Sequence, residues 1–326
     1  RNYQVYGFRF LETITKNGFG GILADDMGLG KTIQVLTLLQ YEKEQNNKGT
    51  SLVICPASLV YNWEEEAKKF TPDLVTRTLA GSPKEREAIL SDLSGIDLVI
   101  TSYSLMHRDI MMYEKVKFEY QILDEAQNIK NARTAASKSV RLIKSAHRIA
   151  LTGTPIENRL SELWSIFDFL MPGFLFTYEE FRRRFETPIV TREDKDASNR
   201  LKDMISPFVL RRLKQNVLKD LPDKLEESRT VVMESDQRKV YDAQVVHLKG
   251  MLNSSSDEQF KENKLMKSNK FKNLKDLDID DMNNSKSRRT ITNKSIKNID
   301  NMIIDSVNSK KNKKTNSEVD INKDDS

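Results

Sequence analysis

Between residues 20 and 151 the apolar positions fall in short continuous runs separated by amphipathic stretches. Five runs stand out: GGILA at 20–24, SLVIC at 51–55, DLVIT at 97–101, YQILD at 120–124 and HRIAL at 147–151. They are apolar nearly throughout instead of alternating, as strands are when helices cover both faces of their sheet. Stretches 32–44, 58–70 and 132–144 read as the crossover helices, with Gly49, the Gly81-Ser82-Pro83 cluster and Gly95 as punctuation. The pattern predicts an α/β fold with a doubly wound parallel sheet.

Past Thr152 the strand signal fades into helix-forming segments broken at Pro155, Pro172, Pro188, Pro207 and Pro222. Residues 160–170 set Leu160, Leu163, Trp164, Phe167 and Leu170 on one helical face, which predicts a helical extension packed on the sheet. From about residue 253 Asn, Lys, Asp and Ser dominate and neither glycine nor proline occurs. Such a segment buries too little apolar surface to offset its chain entropy, so a disordered C-terminal tail is expected, with a short helix over 299–307. No internal repeat is visible.

Composition changes this picture little. The 326 residues suffice for one large core or two ordinary ones. A net charge of +5 leans toward polyanions, yet 53 basic residues are nearly balanced by 48 acidic ones. A single cysteine, Cys55, excludes an internal disulfide and a Cys-rich metal motif, which suits a reducing compartment, so a cytoplasmic location is expected. No apolar run reaches the roughly 18 residues of a membrane span, and no secretory leader pattern opens the chain. The start at Arg1, without methionine, suggests a fragment.

Two segments carry chemistry. In ADDMGLGKT, at 24–32, an apolar strand runs into a loop whose Gly28 and Gly30 can take positive φ, turning the N–H groups of Asp26, Met27, Gly28, Leu29 and Gly30 toward a phosphate. The helix beginning at Lys31 and Thr32 adds its free N–H groups and the positive end of its dipole. In a P-loop the lysine reaches the β and γ phosphates and the threonine hydroxyl meets magnesium. Asp25 stands where GxxxxGK[ST] has its first glycine, so by itself the segment also fits a glycine-containing turn before a helix.

In QILDEAQNIKN, at 121–131, Ile122 and Leu123 end a strand at Asp124 and Glu125, at the carboxyl edge where open α/β sheets bind ligands. Asp124 suits magnesium and Glu125 suits a water that attacks phosphorus. A solvated Asp-Glu at a helix start would read the same in isolation. Downstream of a Gly-Lys-Thr loop, the pair points to ATP or another nucleoside triphosphate with Mg²⁺.

These two segments, with LTGTPIENRLSELWSIFDFLMP at 151–172, resemble the SWI/SNF-type ATP-dependent DNA translocase family of helicase superfamily two, in its bacterial DEAQ-box branch. The resemblance runs from about residue 1 to 246. It implies a RecA-like first lobe over 1–160, a helical extension and brace over 161–232, the start of a truncated second lobe over 233–252 and the tail over 253–326. It assigns Gln4 to adenine, Lys31, Asp124 and Glu125 to catalysis, Thr32 and Asp124 to the metal, and Thr152, Gly153 and Thr154 to coupling. CPASLVYNW and ITSYSLM look like the elements beside a nucleic-acid strand, which makes Ser58, Thr101 and Ser102 candidate phosphate contacts, although helix capping explains Ser58 and Ser102 equally well. Arg211 and Arg212 of the brace could face phosphate or simply solvent. Trp63 reads as core.

The family hydrolyses ATP between two lobes, and the implied partners are double-stranded DNA and a second RecA-like lobe. No Gln-x-x-x-Arg element follows residue 250, and Arg288 and Arg289 sit in the tail. An arginine finger is worth roughly 10³- to 10⁵-fold in turnover, so slight hydrolysis by this chain alone is expected. The alternative is a nucleotide- or DNA-binding fragment without turnover; a P-loop kinase or small GTPase is disfavoured by the acidic box followed by LTGTP.

Overall fold

The computed structural model describes residues 1–46, 49–153, 159–217 and 233–254. The described residues of Arg1–Lys219 form one compact unit and those of Asp220–Lys286 another. Thr154, the breaks at Pro155 and Pro222, and the tail with its Arg288, Arg289 and short helix over 299–307 lie outside the described residues.

In chain order the first unit runs α1 (Asn2–Lys16), β1 (Gly21–Leu23), α2 (Lys31–Glu44), β2 (Ser51–Cys55), α3 (Val60–Phe70), β3 (Thr76–Thr78), α4 (Pro83–Ser91), β4 (Leu98–Ser102), α5 (Tyr103–Arg108), β5 (Lys117–Leu123), α6 (Ala135–Leu142), β6 (Lys144–Leu151) and α7 (Leu160–Leu170). It continues as α8 (Tyr178–Phe181), a π-helical turn (Arg182–Glu186), α9 (Thr187–Arg192), α10 (Lys195–Ile205), β7 (Val209–Leu210) and α11 (Lys214–Val217). In the second unit the described element is α12 (Ser235–Ser254).

The seven strands form one sheet in the order β3-β4-β2-β5-β6-β1-β7, with every pairing parallel. This is the doubly wound sheet that the apolar runs predict. Alternate strand residues feed two cores. Leu52 and Ile54 join Ile22, Leu123 and Ala150 beneath α7 and its neighbours, while Val53 and Cys55 join Leu23, Ile122 and Leu151 beneath α1, α2 and α3. Two strands had no apolar run to announce them. β3 is the partly exposed Thr-Arg-Thr at one edge. β7 is two residues long and exists through its pairing with β1, Ile22 opposite Val209 and Leu23 opposite Leu210.

Several helices start where side chains satisfy their free N–H groups, whereas α2, α3, α7 and α9 start without a side-chain cap. Ser82 and Glu85 make a reciprocal capping box ahead of α4, with Pro83 in its first turn. Thr134, Thr177 and Asp194 accept from backbone N–H groups at the starts of α6, α8 and α10. The face expected on α7 is buried at Leu160, Leu163, Phe167 and Leu170, with Trp164 partly buried.

Cys55 ends β2 with no exposed surface, and burial next to Asp124 pushes its thiol up to about 12. Such a thiol presents almost no thiolate near neutrality. The folded chain is therefore expected to be inert to a disulfide reagent such as DTNB at pH 8 and to release one equivalent of chromophore once urea unfolds it. Rapid labelling without denaturant would contradict this packing.

Candidate functional site

β5, β6 and β1 are neighbours in the sheet, and their register aligns Leu123 with Ala150 and Leu23 with Leu151. Since every strand is parallel, the segments following Leu23, Leu123 and Leu151 leave the same edge. Neighbouring strands lie about 4.8 Å apart, so the three segments begin within roughly 10 Å of one another. That edge brings together Lys31, Thr32, Asp124, Glu125, Thr152 and Gly153.

The loop after β1 has the shape its glycines allow. Gly28 has φ 81° and Gly30 has φ 76°, and Gly30 caps α2. A Cβ at Gly30 would meet Gln4 Nε2 at 2.7 Å, and the positive φ strains any side chain at either glycine. The Gln4 amide lies over the loop, 3.5 Å from the Leu29 carbonyl oxygen. Asp26 accepts from the Lys214 backbone N–H at 2.9 Å; Met27 is exposed and Leu29 buried. Lys31 Nζ donates to the Asp25 carbonyl oxygen at 2.8 Å.

Asp25, at the position where the sequence departs from the P-loop pattern, is fully buried. Its carboxylate receives a two-pronged contact from the Arg212 guanidinium, whose Nε lies 2.8 Å from Oδ1 and whose Nη2 contacts Oδ2. Gln34 Oε1 accepts from the same guanidinium at 2.8 Å, and the Tyr3 carbonyl oxygen accepts from it as well. The acid thus ties the loop to α1, α2 and the segment after β7.

Asp124 is 7 % exposed. Its Oδ2 accepts from the Trp63 indole N–H at 2.9 Å and its Oδ1 from the Glu125 backbone N–H at 2.9 Å. Burial raises its carboxyl above the usual range, against the pull of the Trp63 indole, the Glu125 amide and the charge of Lys31. Glu125 has φ 49° and ψ 57°, a left-handed conformation that costs a non-glycine residue on the order of 1–3 kcal/mol and that gathers at active sites. Its Oε2 accepts from Gln127 Nε2 at 2.6 Å, and Gln127 Oε1 accepts from the Thr152 hydroxyl at 3.0 Å. A continuous polar chain therefore joins the acidic box to the segment after β6.

Mg²⁺ and a nucleotide fit what is there. Mg²⁺ is usually held by one or two carboxylates together with phosphate oxygens and water, not by an all-protein cage. The site offers one buried carboxylate, Asp124, whose charged form burial disfavours and an added cation would favour, together with the Thr32 hydroxyl at the start of α2.

The residues expected beside nucleic acid fare differently. Ser58 is exposed on a 3₁₀ turn (Ala57–Leu59). Thr101 has no exposed surface, and Ser102 is buried as the cap of α5, accepting from the Leu105 N–H. Arg211 is buried with Nη1 3.5 Å from the Gly153 carbonyl oxygen, and Arg212 is spent on Asp25. Strand burial accounts for Thr101, helix capping for Ser102 and a buried ion pair for Arg212, while Arg211 lies buried beside Gly153. Sequence reasoning also missed that Trp63, correctly read as core, donates to Asp124, and that Glu66, one helical turn on, lies beside Thr32. Their i, i+3 spacing places both on one face of α3, but nothing local names the groups that face meets.

Comparison with known proteins places the fold. The chain is 42% identical over 246 residues to the ATP-dependent helicase/translocase YwqA of Bacillus subtilis, covering 74% of this chain and 27% of that protein. It is 40% identical over 248 residues to the TATA-binding protein-associated factor MOT1 of Saccharomyces cerevisiae, covering 69% of this chain and 13% of that one. The Sulfolobus solfataricus SWI2/SNF2 ATPase core in complex with dsDNA superposes with a TM-score of 0.63 at 43% identity, over 79% of this chain and 54% of that structure. The chain therefore spans only about a quarter or less of these curated relatives. Residues 3–311 match the SNF2-related domain. With a RecA-like sheet, a glycine loop and an acidic box on one edge, the chain belongs to the SNF2-related family of helicase-like ATPases.

Proposed function

We propose that this chain is the nucleotide-binding lobe of a DNA-dependent ATPase that couples Mg-ATP hydrolysis to tracking on double-stranded DNA when a second RecA-like lobe is present. The observation that carries the reading is the shared edge: Lys31, Asp124, Glu125 and Thr152 follow three adjacent parallel strands, and the last two are bridged by Gln127.

The loop offers the backbone N–H groups of Met27, Gly28 and Gly30 to the phosphates, the Asp26 N–H being held by the Arg212 carbonyl oxygen at 3.0 Å, and Lys31 exchanges the Asp25 carbonyl oxygen for β and γ phosphate oxygens. Thr32 and Asp124 would hold Mg²⁺, which when bound offsets charge on those oxygens. Glu125 orients the attacking water and takes its proton, held in place by Gln127. Loss of the γ phosphate alters what Glu125 contacts, and the bond from Gln127 to Thr152 carries that change toward Gly153 and Thr154. Gln4 sits over the loop where an adenine edge would be read. Support for DNA comes from the Sulfolobus solfataricus relative, solved in complex with dsDNA, and from exposed Ser58 at the same sheet edge. Turnover would further draw on arginines of the second lobe.

Titrating the chain with a fluorescent Mg-nucleotide should give saturable binding. Lys31→Ala is expected to weaken it roughly 10- to 100-fold, the scale of hydrogen bonds to charged groups. DNA-stimulated phosphate release above that of Lys31→Ala would establish turnover; equal rates would leave a binding module. Absence of any saturable signal from the unaltered chain would overturn the proposal.

A further inference from the structure

α3 lies on neither the loop nor the acidic box, yet it delivers two side chains to them. Trp63 is 2 % exposed, and its indole N–H is 2.9 Å from Asp124 Oδ2, across 61 residues of sequence. One turn further along, half-buried Glu66 lies beside the Thr32 hydroxyl. The same helix therefore abuts both protein groups that the proposed function assigns to the metal.

Asp124 Oδ1 is already engaged by the Glu125 N–H, so the indole completes a pair of donors, one on each carboxylate oxygen. A carboxylate oxygen has about two acceptor sites, which leaves one on each oxygen for a cation or its water. An indole has a single donor and no acceptor. It cannot compete with a metal as a ligand, and it cannot swing away without losing its packing among the residues under α3. Removing it would free the carboxylate to rotate and leave one buried oxygen without a partner, conditions under which charge is disfavoured.

We infer that Trp63 is a positioning residue of the metal-nucleotide site, fixing the Asp124 carboxylate through its indole N–H so that the carboxylate is aimed before a cation arrives. The inference rests on the reading of Asp124 as a metal ligand. It predicts a specific defect in the use of magnesium, separate from nucleotide affinity as such.

The test compares Trp63→Phe with the unaltered full chain, the phenyl ring keeping most of the packing and lacking the donor. Fluorescent nucleotide affinity is measured across a magnesium series and in EDTA. We expect the magnesium concentration for half-maximal affinity to rise by roughly tenfold, the scale of one hydrogen bond to a charged group, while affinity in EDTA stays within about twofold. In an Asp124→Asn background the same substitution should add nothing further. A second measurement leaves Trp63 in place: in a Trp164→Phe chain, saturation with Mg-nucleotide should shift the Trp63 emission, and nucleotide in EDTA should not. An unchanged magnesium requirement in folded Trp63→Phe, or a Trp63 emission indifferent to bound Mg-nucleotide, overturns the inference while the nucleotide site stands. Failure of the unaltered chain to bind Mg-nucleotide removes the functional reading beneath it.

Discussion

Arg212→Ala is expected to destabilise the unit that contains the sheet by about 3–5 kcal/mol, the cost of leaving one member of a buried ion pair without the other. Arg212 is 7 % exposed and Asp25 has no exposed surface, so water cannot replace the lost guanidinium. The bonds to Gln34 and to the Tyr3 carbonyl oxygen disappear with it. Urea unfolding followed by circular dichroism would show the midpoint fall. Replacing both partners by apolar residues of similar volume should recover much of the loss, because two matched charges then leave the core together. A surface arginine that merely contacted DNA phosphate would behave otherwise: its loss would leave stability within about 0.5 kcal/mol and weaken DNA binding in a salt-dependent way. An unfolding midpoint unmoved by Arg212→Ala would return the residue to that class.

Glu125→Gln is expected to slow DNA-stimulated phosphate release by about 10²- to 10⁴-fold, the span of a lost general base, in an assay with a second lobe supplied. Glutamine matches the shape of glutamate, and its amide oxygen can still accept from Gln127, as Glu125 Oε2 does at 2.6 Å. The substitution thus removes a proton acceptor and a charge while leaving the polar chain to Thr152. Mg-nucleotide affinity should therefore stay within about threefold, a change of roughly one weak hydrogen bond. Release at the unaltered rate would mean that another group takes the proton. Affinity lost in parallel with rate would mean that Glu125 serves binding, and its left-handed backbone would then be a feature of the loop and not of the chemistry.

How much was legible is clearest at Asp25. By pattern it was a blemish in a glycine loop; in the fold it is the anchor of that loop, paired with a residue 187 positions away. Trp63 was legible as core because a large aromatic after an apolar run is ordinarily buried, and it is. Its hydrogen bond was not legible, since nothing local says which carboxylate a buried indole will reach. Thr101 and Ser102 show the same limit from the other side. Hydroxyls after a strand looked available for phosphate, and the fold used one as strand interior and the other as a cap. β7 was invisible because two residues carry no periodicity, and only the open edge of β1 makes them a strand.

What the sequence determined by itself was whatever depends on neighbours along the chain. Apolar runs of strand length, helix starts marked by Ser, Thr and Asp, and a Gly-Leu-Gly-Lys-Thr turn all express local backbone and solvation preferences. Parallel topology then obliges the ends of those runs to share an edge. The tertiary structure decided which charges lose water and what replaces it: Asp25 on Arg212, Asp124 on Trp63, Glu125 through Gln127 to Thr152. Desolvation depends on what the rest of the chain lays over a group, and periodicities of two or 3.6 residues hold no record of that.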